Sequence, residues 1–222
     1  MTRAPVEALF EDEAILAVNK PEGIASIPER DLSVPSVRRV LEEERGASLF
    51  VVHRLDKEVS GVLLFAKTPA AHRELSLAFE QRRVDKRYVA VMHGRVERDD
   101  LVIDAPLREY GSGRMGVDPR GKASLTRVVV LERAERCTLV EVRPETGRRH
   151  QIRAHLYAEG HPLVGDTRYG DAPSPDEPRL MLHAFRLGLP PLSFSAPPSI
   201  GAPFGETFLR ELSRLGLQPP RQ

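Results

Sequence analysis

The sequence predicts an α+β protein built on a mixed, largely antiparallel sheet with interspersed helices. Short runs of β-branched and apolar residues, typical of strands, recur along the whole chain. Several runs are joined by turns too short for a crossover helix, so these neighbours are expected to be antiparallel. With 222 residues, 41% of them hydrophobic, the chain can bury one substantial core or two small ones. Residues 1–222 are therefore predicted to form a single domain with two lobes.

The first half of the chain is predicted to contain five strands, two helices and one further short strand. Helices are predicted where apolar residues recur every three or four positions behind a capping residue, and strands where β-branched and aromatic residues cluster. In order, these are two strands within Val6–Lys20 closing at Pro21–Gly23, a helix from about Ser36 to Arg45, strands at Leu49–Val52 and Val62–Ala66, a helix from N-cap Thr68 to about Arg83, and strands at Arg87–Met92 and Leu101–Ile103.

The second half is predicted to begin with a mobile basic loop, because Glu109–Lys122 is rich in glycine and arginine. A hairpin, a helix and a last strand follow it, and the rest of the tail is read as proline-rich chain. They are the hairpin Thr126–Leu131 with Thr138–Val142, a helix from about Arg148 to Glu159 with Thr146 as N-cap, and a strand at Leu180–Leu187.

Composition narrows the possible functions. The formal net charge is only +1, so affinity for nucleic acid would depend on how the 33 Lys and Arg residues are distributed. No apolar run is long enough for a membrane span or a signal peptide, which predicts a soluble, cytoplasmic protein. The single cysteine, Cys137, lies in an alternating strand and is expected to be a small buried residue rather than a nucleophile. His150 and His155 are five residues apart rather than four, and there is no cysteine cluster, so no metal site is expected.

One carboxylate stands between cations in the segment His53–Gly61, which lies between two apolar runs. Alternation along an extended chain places Arg54 and Asp56 on one face and Leu55 on the other, so leucine can anchor the segment while the acid stays accessible. Short exposed corners held by buried strands often carry catalytic groups. The alternative interpretation is an acid that only caps a turn.

A second informative segment is Glu145–Leu156. If it is helical, Ile152 and Leu156 form a packed stripe, and Arg149 and Arg153 share a neighbouring face. A basic helix start suits phosphate binding. A solvated basic face without a ligand is the alternative.

These two segments, together with three more, resemble the RluA family of RNA pseudouridine synthases. The resemblance extends from about Leu9 to Phe208, and its strength is that five motifs occur in the right order. It implies the pseudouridine-synthase fold, with helices flanking a central sheet and an RNA-binding cleft between two lobes, no cofactor, and a monomer acting on a ribosomal RNA or tRNA stem-loop. The motifs are Asn19–Gly23, His53–Gly61, Lys86–Tyr88, Glu145–Leu156 and Gly160–Asp166.

The resemblance also implies roles for single residues. Asp56 is similar to the catalytic aspartate, Tyr88 to the tyrosine that stacks on the target base, and Arg153 to the basic residue that pairs with the aspartate. Ile152 resembles the apolar residue lining the pocket, and Arg54 the arginine that enters the RNA stack where the uridine leaves. Further substrate-binding residues are predicted within the same motifs, namely His53, Lys20, Arg148 and Arg149.

The chain departs from the family pattern at Val59, where threonine is usual, which puts a side-chain hydrogen bond in the turn in doubt. The chain also begins almost at the catalytic region, so no separate N-terminal RNA-binding domain is expected.

Isomerising uridine consumes no water, so one carboxylate suffices, whereas glycoside hydrolysis generally uses two. Whether Asp56 attacks the ribose, attacks the base or removes a ribose proton stays open. Two other functions also stay open: a noncatalytic RNA-binding or ribosome-assembly factor, and a nucleosidase that would recruit Glu58 or Glu145 as its second carboxylate.

Overall fold

The computed structural model describes residues 6–29, 31, 33–111, 113–170 and 179–220. The chain divides into two compact units, the first formed by Met1–Asp85 with Ala184–Pro203 and the second by Lys86–His183 with Phe204–Gln222. The described elements are β1 (Glu7–Glu11), β2 (Ile15–Lys20), α1 (Val37–Arg45), β3 (Phe50–Val51), β4 (Ser60–Ala66), α2 (Pro69–Glu80), β5 (Asp85–His93), β6 (Asp100–Asp104), β7 (Leu107–Glu109), β8 (Met115–Val117), β9 (Leu125–Arg133), β10 (Cys137–Pro144), α3 (Gln151–Ala158), β11 (Leu182–Gly188), β12 (Ser199–Gly201) and α4 (Glu206–Arg214).

The first unit contains the strand order β1-β2-β4-β11, with β3 paired to β4 and β12 paired to β11. Strand β4 is buried along its whole length, and its apolar side chains pack with those of β2 and α2 in one core. The predicted N-cap of α2 is confirmed, because the side chain of Thr68 accepts from Ala71 N, and Ser36 caps α1 in the same way by accepting from Arg39 N. Helix α2 ends at Glu80, three residues before the predicted end.

The second unit contains the strand order β5-β10-β9-β6. The predicted hairpin is confirmed, because β9 and β10 pair antiparallel around residues 134–136. Cys137 begins β10 and is buried, as expected, and burial raises the pKa of its thiol above the usual value. Among the described residues, no helix is long and apolar enough to cross a membrane.

Helix α3 begins at Gln151, so the prediction that Thr146 caps a helix starting near Arg148 is wrong. The backbone of His150 is left-handed, with φ 48°, which stops the helix from extending backwards. The side chain of Gln151 turns back instead, and its Oε1 accepts from Arg148 N (3.1 Å) and from Thr146 Oγ1 (2.6 Å). Arg149 therefore lies outside the helix and does not share a helical face with Arg153.

The segment Glu109–Lys122 is not the predicted loop but includes a small sheet, in which β7 pairs antiparallel with β8. Leu107 and Met115 of this hairpin are buried in a cluster with Ala154 and Tyr169. The nearly buried Asp118 accepts hydrogen bonds from the backbone and side chain of Arg120. These contacts hold the pKa of Asp118 far below its usual range. Basic residues of this segment therefore sit on ordered structure.

The chain after β11 is also more structured than predicted. It adds β12 and α4, and α4 buries Phe208 and Leu212 in the second unit. The Phe208 ring stacks on Phe204 at 5.2 Å, and the buried His183 ring lies 4.9 Å from Phe204. Helix α4 was missed because prolines stand on both sides of it: it begins after Pro203 and ends before Pro219.

We expect His155 to make the protein less stable as the pH falls from 7 to 5. Its ring is fully buried between Thr126 Oγ1 and Ala105 O, each 2.9 Å away, and burial lowers its pKa below the usual value of about 6.5. Below that pH the unfolded chain binds a proton that the folded chain resists. Stability should therefore fall by at most about 1.4 kcal/mol per pH unit for this group. Urea unfolding at pH 7 and pH 5 measures it, and His155→Gln should show a smaller pH dependence than wild type; an equal dependence would contradict the prediction.

Candidate active site

Asp56 lies on the corner between β3 and β4, in the first unit. Leu55 is buried, Asp56 is partly exposed and Arg54 is exposed, as the predicted alternation requires. The carboxylate is therefore held at the surface by a neighbour anchored in the core. Such a placement leaves it accessible to a large substrate.

The backbone on both sides of Asp56 is fixed by hydrogen bonds. Ser26 Oγ donates to Leu55 O (2.7 Å) and accepts from Leu55 N (3.0 Å), so one hydroxyl satisfies both backbone groups of the preceding residue. Val59 N donates to Asp56 O at 3.1 Å and closes the turn. That bond uses the backbone, and the Val59 side chain is buried, so the turn closes without the threonine hydroxyl that the family usually has there.

Gly61 follows this turn and cannot be replaced without distortion. Its φ is +117°, and a Cβ at this position would lie 2.2 Å from Ala184 O. Only glycine permits both the backbone conformation and the close approach of the neighbouring chain. The corner is thus constrained at its beginning, in the turn and at its end, which suits a reactive group whose position must be precise.

Lys20 holds the same corner in place through hydrogen bonds from its side chain. Its side chain is fully buried, and its Nζ donates to three carbonyl oxygens, those of Pro21 (2.8 Å), Ile24 (2.7 Å) and Lys57 (3.0 Å). Gly23 N also donates to Lys57 O at 2.8 Å. The sequence analysis predicted that Lys20 binds substrate directly. A side chain without exposed surface acts on substrate only through the residues it holds, so we interpret Lys20 as a positioning residue.

Replacing Lys20 with Met should destabilise the protein by about 2–3 kcal/mol, because three buried or partly buried carbonyls lose a charged donor. The matched control is Lys57→Met, since the Lys57 side chain is 42% exposed and its ion pair with Glu29, at 3.5 Å, lies at the surface. Urea unfolding of the two variants measures the difference. Equal stability of both variants would show that the buried ammonium contributes nothing.

His53 also makes structural contacts. Its Nε2 accepts from Leu64 N at 3.0 Å, and its ring stacks on Phe79 with 4.8 Å between centroids. These contacts attach the segment before Arg54 to β4 and α2. Direct contact of His53 with substrate stays a prediction.

The second unit carries the other predicted residues. Tyr88 lies on β5 opposite Val142 of β10 and is half-buried. Ile152 and Arg153 lie in the first turn of α3, and both are buried. Lys86 Nζ donates to Thr146 O at 3.0 Å, which ties β5 to the segment preceding α3.

Arg153 forms a bidentate ion pair with Asp166. Its Nε and Nη2 donate to the two carboxylate oxygens at 2.8 and 2.7 Å, and the side chains are only 3% and 0% exposed. Burial by itself would raise the pKa of Asp166. The hydrogen bonds and charge of Arg153, with the amides of Arg168 and Tyr169, outweigh burial and hold that pKa below its usual value.

Asp166 and Tyr169 contact the predicted site residue Arg153, and the sequence analysis did not single them out. Asp166 ends one of the five motifs, which was the available signal, but its spacing from Arg153 has no helical or strand periodicity. The Tyr169 hydroxyl accepts from Met115 N at 2.8 Å and lies 3.0 Å from His150 Nδ1. Its ring is 5.3 Å from Arg153 Cζ. Together they fix the orientation of the Arg153 guanidinium.

Arg148 and Arg149 precede α3 on the surface. Arg148 donates to Ala123 O at 3.4 Å, and Arg149 Nη1 donates to Glu109 Oε1 at 2.5 Å. The two side chains are ordered by local contacts and remain at the surface. Among the described residues, no group of three or more His, Cys, Asp or Glu is placed to hold a metal ion.

Comparison with known proteins identifies the family. Residues 14–158 match the family model described as RNA pseudouridylate synthase. The chain belongs to this family. The resemblance read from the five motifs and the predicted fold class are thereby confirmed. The matched range includes the Asp56 corner, Tyr88 and the whole of α3.

Individual relatives agree with this assignment. The chain is 36% identical over 208 residues to a ribosomal large subunit pseudouridine synthase C of Vibrio vulnificus, covering 89% of this chain and 65% of that protein. It is 36% identical over 236 residues to a tRNA pseudouridine synthase C of Salmonella typhimurium, covering 95% and 90%. The solved structure of human RNA pseudouridylate synthase domain containing 4 superposes with a TM-score of 0.79 at 27% identity, covering 97% and 95%. The chain thus spans less than two thirds of the Vibrio protein but nearly all of the Salmonella one.

Proposed function

We propose that this chain is an RNA pseudouridine synthase that isomerises specific uridines in structured ribosomal RNA or tRNA, with Asp56 as the catalytic carboxylate. The observation that carries the proposal is an accessible carboxylate, Asp56, on a corner fixed by Ser26 and Lys20, in a chain of this family. The names of the relatives above, which act on ribosomal RNA or on tRNA, support RNA as the substrate.

The proposed reaction breaks the bond between ribose and nitrogen 1 of uracil, turns the base and rejoins it through carbon 5. Reactant and product have the same atoms, so no water, cofactor or second carboxylate is required. Asp56 acts in its ionised form. We assign to Arg153 the role of the basic residue in this reaction, and the bidentate contact with Asp166 supports that role by fixing its guanidinium.

Reaching the base requires taking it out of the RNA stack, at a cost of a few kcal/mol. We assign to Tyr88 the role of stacking on the flipped base, which would stabilise the flipped state by about 1–3 kcal/mol. We assign Ile152 to the apolar wall of the pocket that holds this base. The exposed Arg54 would fill the place that the base leaves. Affinity for RNA would come from phosphate contacts of basic residues and should fall with salt.

We also propose that both compact units make up one catalytic domain, and that the enzyme works as a cytoplasmic monomer without cofactor. Asp56 lies in the first unit, and Tyr88 and Arg153 lie in the second. A noncatalytic RNA-binding factor would need none of these three side chains in their chemical roles.

The proposal is tested by mapping pseudouridines across total RNA from cells with and without the gene. We expect a small set of positions in ribosomal RNA or tRNA to lose pseudouridine and to regain it when the purified protein is added to unmodified RNA. An unchanged map, with no product in the purified reaction, would refute the proposal. Release of free uracil from the same RNA would show a nucleosidase instead.

A further inference from the structure

Three arginines and one tyrosine converge on a face of the second unit that lies outside the residues assigned above to the reaction. We call Arg114, Arg149, Tyr157 and Arg168 the arginine–tyrosine patch. Arg114 directly precedes β8, Tyr157 lies in the last turn of α3, and Arg168 follows Asp166. Sequence analysis gave no role to Tyr157 or Arg168.

Two guanidinium groups of the patch meet at the β7–β8 hairpin. A Cβ added to Gly113, whose φ is +70°, would lie 3.3 Å from Arg168 Nη2 and 3.6 Å from Arg149 Nη1. Two guanidinium groups within 4 Å of the same point favour the binding of an anion between them. Arg149 pairs with the carboxylate of Glu109 at the surface, where such ion pairs are weak and exchange readily.

Arg114 and Tyr157 add a stacking surface beside these charges. Arg114 Cζ lies 4.7 Å from the centroid of the Tyr157 ring and 5.1 Å from that of the buried Tyr169 ring. The two rings contact each other edge to face at 6.3 Å. Tyr157 is 47% exposed although it is a large aromatic residue, so it forms the accessible end of a supported stack.

The patch lies next to Arg153. The Tyr169 ring is 5.1 Å from Arg114 Cζ and 5.3 Å from Arg153 Cζ, so a single side chain separates the two arginines. Tyr157 also lies one helical turn after Arg153 on α3, which places both on the same side of the helix. A nucleotide bound at the patch would therefore be a near neighbour of the one at Arg153.

We propose that the arginine–tyrosine patch binds an unpaired nucleotide of the substrate RNA close to the target uridine, with its base stacked on Tyr157 and its phosphate held by Arg149 and Arg168. Alternating aromatic rings and cations are the features that bind single-stranded nucleic acid. This inference rests on the proposed function and adds to it a preference for RNA in which the uridine has an unpaired neighbour.

Equilibrium binding tests the aromatic part of the proposal. The probes are a labelled stem-loop RNA whose loop consists of uridines and a fully paired RNA duplex of the same length. We expect Tyr157→Ala to weaken stem-loop binding at least about fivefold and duplex binding less than twofold, while Tyr157→Phe binds both like wild type. Unchanged stem-loop affinity of Tyr157→Ala, or equal weakening on both probes, would overturn the proposal.

The charged part is tested by the salt dependence of stem-loop binding. Arg168→Ala should reduce the slope of log K against log salt by about 0.7–0.9, because one phosphate contact is lost. Glu109→Gln should bind more tightly than wild type, since Arg149 no longer has a competing carboxylate. Arg210→Ala, an exposed arginine on α4, is the matched control and should change neither quantity. A slope for Arg168→Ala equal to that of the control would overturn the phosphate assignment.

The binding measurements do not depend on catalytic turnover, so this inference and the proposed function can fail separately. Normal pseudouridine formation with unaltered binding by Tyr157→Ala would overturn this inference alone. Strong Tyr157-dependent binding of the loop, without any pseudouridine formed by wild type, would overturn the proposed function alone.

Discussion

Replacing Asp56 with Asn is expected to reduce pseudouridine formation by at least about 10³-fold. The amide has the shape of the carboxylate but no charge, so it can neither attack nor accept a proton. The fold should survive, because Ser26, Lys20 and backbone hydrogen bonds hold the corner. We therefore expect the free energy of unfolding to change by less than about 1 kcal/mol.

The measurement is single-turnover pseudouridine formation on substrate RNA, with RNA binding measured in parallel. Glu58→Gln is the matched control, because Glu58 is an exposed carboxylate two residues away on the same corner. It should keep wild-type activity. Turnover by Asp56→Asn would refute the catalytic assignment, and loss of activity in Glu58→Gln would favour chemistry that uses two carboxylates.

Replacing Asp166 with Asn should have the largest effect on stability, about 3–5 kcal/mol. The change leaves the Arg153 guanidinium buried beside a neutral partner, and removing one member of a buried pair costs far more than the pair contributes. Asp166 also accepts from Arg168 N and Tyr169 N, each at 3.0 Å, so the amide would disturb a turn as well.

Urea unfolding at neutral pH measures this loss. Asp99→Asn is the matched control, because Asp99 pairs with Arg133 at 2.6 Å but is 87% exposed, and it should change stability by less than about 1 kcal/mol. The folded state holds the pKa of Asp166 below its unfolded value, so this stabilisation is present above about pH 4 and is lost as the pH falls further. Equal losses in the two variants would show that burial does not strengthen the ion pair.

Signals within a few residues predicted much of the structure. Thr68 was identified as a helix cap because a cap bonds to an amide three residues away. The alternation of Arg54, Leu55 and Asp56 correctly predicted which of them is buried. Local patterns failed at α3, where a left-handed His150 and the side chain of Gln151 replaced the expected cap.

The sequence by itself determined the family, the positions of most strands and helices, and the candidate carboxylate, because each depends on neighbouring residues or on an ordered set of motifs. Only the tertiary structure decided what surrounds these residues. Lys20 bonds to a carbonyl 37 residues away, Ser26 to one 29 residues away, and Arg153 to an acid 13 residues away. Burial turns these polar contacts into strong constraints, and burial depends on how distant segments pack, which no local pattern records.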